Sequence, residues 1–194
     1  IIFAGFSPGY YTPLVEGDLV KSNTIHFHAI IYTGWMLIFT VQCSLPMFGK
    51  TKLHRQLGPW FTAYAFLLIP VGLAVTFHEF SVRAAAGDMV QARTSFLPPL
   101  TDMMIYPPIM YAAYHYRRKP EVHKRLMILA GTFLIFPAAI RIGFLDLPAD
   151  LPLLVAIWLS PIILALAHDA IFRRKLYLSY GLGLPLLALT VSRL

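Results

Sequence analysis

Apolar residues in this chain run in blocks of about twenty, separated by short polar stretches, without the strict alternation of a half-buried strand. A block of that length crosses the hydrocarbon of a bilayer as a helix, the form in which a segment pairs its own backbone groups. The blocks predict six complete helices, at about Ile25 to Phe48, Leu57 to Phe77, Leu97 to Tyr116, Val122 to Phe144, Leu151 to Phe172 and Tyr177 to Val191. Ile1 to Phe6 reads as the end of a further, truncated helix, broken by Pro8, Gly9 and Pro13. The expected fold class is all-α, a polytopic transmembrane helix bundle forming a single domain over residues 1–194. Pro70, Pro137 and Pro161 should kink their helices, and Pro107 with Pro108 should bend the third complete one. His78 to Ser95 reads as a polar connector able to form a short surface helix.

Composition agrees with lipid as the solvent. The chain is 58% hydrophobic and 13% charged, with a mean hydropathy of +0.66, where a soluble domain carries roughly a quarter charged residues. Its net charge of +7 falls in short clusters between the apolar blocks, with no basic arm, which argues against nucleic acid as a partner. The clusters are Lys50, Lys52 and Arg55; then Arg117, Arg118, Lys119, Lys124 and Arg125; then Arg173, Arg174 and Lys175. The intervening loops carry Glu16 and Asp18, then Glu79 and Asp88, then Asp146 and Asp150. Cations gather on the cytoplasmic side of membrane helices, so the pattern predicts a cytoplasmic N-terminus and an outside C-terminus. Cys43, the one cysteine, excludes an intrachain disulfide or a cysteine metal motif.

Ionisable residues at membrane depth are costly and mark candidate sites. The topology sorts them into an outer layer of His26, His28, His78, Glu79, Asp102 and Arg141. The inner layer holds His54, His115, His123, His168 and Asp169. Asp102 is a carboxylate within an apolar helix, and Arg141, at a similar depth, is its natural partner as a structural ion pair or as a substrate, proton or metal site. His54 and His123 each open a helix beside basic residues. They read either as a pair of haem ligands or as interfacial caps and contacts to lipid phosphate. Asp169 is expected to pair with Arg173 one helical turn away.

The order HFHAIIYTGWMLIFTVQ, KTKLHRQLG, PLTDM, RRKPEVHKRLMILA, PAAIR and HDAIFRRKLYLSY resembles a family of bacterial seven-helix membrane proteins, over nearly the whole chain. That resemblance implies a bacterial cytoplasmic membrane and a first helix that is mostly missing here, and it supplies no function. The chain is more weakly similar to the two-haem cytochrome b superfamily, in which histidines at both membrane faces hold haem. That likeness implies cofactor ligands at His28, His54, His78 and His123, with His54 and His123 inside and His28 and His78 outside. The departure lies in the helix from Leu97, which carries Asp102 in its outer part and a histidine, His115, only at its inner end.

Three functions follow as expectations. The first is a haem-b-binding electron-transfer protein serving a quinone-type partner. The second is an accessory subunit of a larger membrane complex, with no chemistry of its own and membrane lipids around it. The third is a zinc-dependent intramembrane hydrolase with His26, His28, His78 and Asp102 as ligands.

Overall fold

The computed structural model describes residues 1–143, 149–175, 177, 180 and 181. They form helices α1 (Ile2–Phe6), α2 (Thr12–Glu16), α3 (Asn23–Met47), α4 (Thr51–Ala85), α5 (Met89–His115), α6 (Pro120–Ala139) and α7 (Leu151–His168), and no strand occurs among them. Wider π-type turns at Ser7–Tyr11 and Asp169–Arg173 join α1 to α2 and extend α7. The fold class is therefore all-α, as the blocks predict. Four helices are long and apolar enough to cross a membrane: α3, α4, α6, and α7 with its π-type turn. The expected helix from Tyr177 to Val191 falls almost wholly outside the described residues, as does Asp146.

Local chemistry sets several boundaries. Ser22 caps α3, accepting from the Ile25 amide at 3.4 Å, and Pro120 opens α6 at a position where a missing N–H costs nothing. The connector expected from His78 to Ser95 is instead absorbed into helices. The 35-residue α4 continues to Ala85, and Asp88 caps α5 by accepting from the Gln91 amide at 3.0 Å. The polar residues there leave the chain helical because Ala84, Ala85 and their neighbours favour that state and the cap supplies a start. Helix α5 likewise runs without a break through Pro98, Pro99, Pro107 and Pro108.

The described chain divides into two compact units. The first comprises residues 1–20 and 111–194, and the second residues 21–110. In the first, α6 packs against α7 and α1. Its core holds Leu129, Phe133, Phe136, Leu154 and Trp158, with the Trp158 indole donating to the Thr132 carbonyl at 2.8 Å. In the second, α3 and α4 form an antiparallel hairpin. The Tyr32 hydroxyl donates to the Leu68 carbonyl at 2.9 Å, and the Tyr64 hydroxyl to the Ile31 carbonyl at 3.0 Å. Beside it, Gly72 is closed against the Tyr32 hydroxyl and the Met103 sulfur, so that a Cβ there would displace both.

Candidate functional site

The most buried charge in the first unit is Arg125, with no exposed surface. It lies on the stripe of α6 that carries Leu129, Thr132, Phe133 and Phe136, all buried, at helical spacing. A guanidinium so placed needs acceptors on every side. Its Nε donates to Asp169 Oδ2 at 2.8 Å and its Nη2 lies 2.7 Å from the same oxygen. Its Nη1 donates to the Glu121 carboxylate at 2.9 Å and to the Glu121 carbonyl. The Tyr177 ring covers the guanidinium, with its centroid 3.4 Å from Cζ, and the Tyr180 hydroxyl donates to Asp169 Oδ2 at 3.0 Å.

This network corrects the expected pair of Asp169 with Arg173. Asp169 is buried and turned toward Arg125, 44 residues earlier in the chain, whereas Arg173 is exposed and reaches Glu121 at 3.6 Å. A desolvated carboxylate gains more from an equally desolvated guanidinium than from a partner still in solvent. Lys124 joins the outer side, 3.0 Å from Glu121. Sequence reasoning placed Arg125 with the interfacial cations. The signal that marks it as different is its place on the apolar stripe, four residues after Glu121 and four before Leu129.

The histidines at the helix mouths have matching settings. His54 Nδ1 lies 3.1 Å from the Gln42 carbonyl, and His123 Nδ1 lies 2.7 Å from the Ala113 carbonyl. Both acceptors lack an ordinary helical donor. The donor to Gln42 would be the amide of residue 46, which is Pro46 and has no N–H. Ala113 lies in the last turn of α5, where carbonyls go unpaired within the helix. Since a carbonyl only accepts, both rings carry a proton on Nδ1. His54 belongs to the second unit and His123 to the first.

In the second unit the His28 ring lies against Tyr32, centroids 4.0 Å apart, and Asp102 is buried in α5 close enough to Tyr32 to act on it electrostatically. Tyr106, one turn beyond Asp102, is fully buried, and its hydroxyl has no hydrogen-bond partner among the described residues. The Gln42 side-chain amide is buried in the same condition at the other end of α3. His26 and His78 are half-buried in α3 and α4. Among the described residues, no group of three or more His, Cys, Asp or Glu side chains converges closely enough to hold a metal ion, so the set His26, His28, His78 and Asp102 is not gathered there. Asp102 and Arg141 belong to different units. Within its own unit, Arg141 donates to the Pro137 carbonyl and lies over the Phe6 ring, 5.4 Å from its centroid. Comparison with family models, curated proteins and solved structures finds no match to this chain.

Proposed function

We propose that this chain is an integral membrane protein that carries electrons through haem b, with the imidazoles of His54 in the second unit and of His123 in the first as the candidate ligands. One observation supports the assignment: each ring is held at a helix mouth through Nδ1 to a main-chain carbonyl. Such an outer contact fixes ring orientation and puts the lone pair of the neutral imidazole on Nε2, the nitrogen that would face iron. Lys52 and Arg55 flank His54, and Lys124 and Arg125 follow His123. Of these, Arg125 is committed to Asp169 and Glu121, and Lys124 is paired with Glu121, which leaves Lys52 and Arg55 as the cations suited to haem propionates. Bound haem would supply a one-electron couple. The chain's own part is to orient the rings.

The test is a reduced-minus-oxidised spectrum of protein purified in mild detergent, with iron measured on the same sample. Expected are haem b bands and iron in the unsubstituted protein, with loss of both when His54 and His123 are together replaced by alanine. Absence of haem absorption and iron from the unsubstituted protein removes the reading and leaves the two histidines as caps for orphaned carbonyls.

A further inference from the structure

We propose that the end of the first unit where α6 begins and α7 finishes binds the phosphate headgroup of an anionic phospholipid, through Arg117, Arg118, Lys119, Arg174 and Lys175. The inference rests on the membrane reading alone and is independent of haem.

Two loops distant in sequence meet at this end. Arg125 ties α6 to Asp169, and Arg173 reaches back to Glu121. These contacts bring the cations before Pro120 and those after Arg173 to the same end of the unit. The same contacts use up the local negative charge. Glu121 is shared by Lys124, Arg125 and Arg173, and Asp169 is held by Arg125. Arg117, Arg118, Lys119, Arg174 and Lys175 are all exposed and form no ion pair with a described residue. The ring of Tyr114 lies under Arg117, that of Tyr116 under Lys119 and that of Tyr177 near Lys175. Tyrosine rings among exposed cations suit the depth of lipid phosphate, where an aromatic body and a polar tip are both accommodated.

The backbone adds an independent observation. Arg174 has φ 49°, the left-handed region, and is the only non-glycine with positive φ among the described residues. The other three such positions are Gly17, Gly49 and Gly87. An arginine there is strained where a glycine would be relaxed, and it stands next to Lys175 in the chain. Strain held at one position motivates a functional reading of that side chain.

Phosphatidylglycerol, phosphatidylcholine or inorganic phosphate is titrated into the full chain in nonionic detergent, and the unfolding midpoint gives the apparent affinity. Phosphatidylglycerol is expected to raise the midpoint, and the other two to leave it unchanged. Replacing the five cations together by glutamine should weaken the response to phosphatidylglycerol by about tenfold or more. The control K21Q/K50Q/R93Q should stay within about twofold, on the same basis of local rather than total charge. Arg174→Gly should keep or raise the lipid-free midpoint while weakening lipid binding, a pairing that mere structural damage does not give. An unchanged affinity in the five-fold variant, an equal loss in the control, or an equal response to inorganic phosphate overturns the proposal. Failure of the membrane reading itself is separate: alkaline carbonate would then strip the chain from membranes.

Discussion

A guanidinium taken out of water is held only as well as its acceptors allow, and Arg125 has two carboxylates, a carbonyl and an aromatic face. Such a cluster resists the loss of one member more than the loss of both, because a lone buried charge remains in the first case. Asp169→Asn is therefore expected to destabilise the protein by about 3 kcal/mol. The double variant Arg125→Met with Asp169→Leu should unfold closer to the unsubstituted protein than either single change does, as read by thermal unfolding in detergent. Additive losses would mean that the two side chains do not act as a pair. The partner of Asp169 was not legible in the sequence. Spacing proposes Arg173, one turn away, while burial, which selects Arg125, depends on how α6 and α7 meet.

Proline decides much at the scale of the helix, through the carbonyls it strands. Pro46 frees the Gln42 carbonyl for His54, and Pro161 frees the Ile157 carbonyl, which receives the Ser160 hydroxyl at 2.8 Å. His54→Ala removes a donor from a carbonyl that has no helical one, and should cost about 1 kcal/mol. In a Pro46→Ala background the restored amide can serve Gln42, so the same change should cost measurably less. Equal costs in the two backgrounds, from unfolding of the four proteins, would show that the His54 contact does not serve the stranded carbonyl. Helix positions were largely readable, since apolar block length carries that information: α3 and α6 begin within two residues of the expected starts. The connector after Phe77 was not, because a polar, alanine-rich run satisfies loop and helix equally until a cap such as Asp88 decides.

For the whole molecule, the legible part is the solvent. Four helices of sufficient length and apolarity match the composition, and the exposed Phe27, Ile30, Leu37 and Val41 on α3 are the surface a bilayer accepts. The candidate ligand set His26, His28, His78 and Asp102 shows the limit of such a reading. A shared layer fixes depth along the membrane normal, whereas a metal site also requires convergence within the plane, which apolar patterning does not encode. Layering itself can be tested, because it rests on the alternation of basic and acidic loops rather than on any contact. If cations mark the cytoplasmic side, cysteines placed at Lys50, Arg118 and Lys175 in a Cys43→Ser background should share one side, and cysteines at Asp18 and Asp88 the other. An impermeant thiol reagent applied to intact cells should modify the second set, and the first only after lysis. Labelling of Lys50→Cys and Arg118→Cys from opposite sides would put His54 and His123 in different layers and overturn the alternation on which the layering rests.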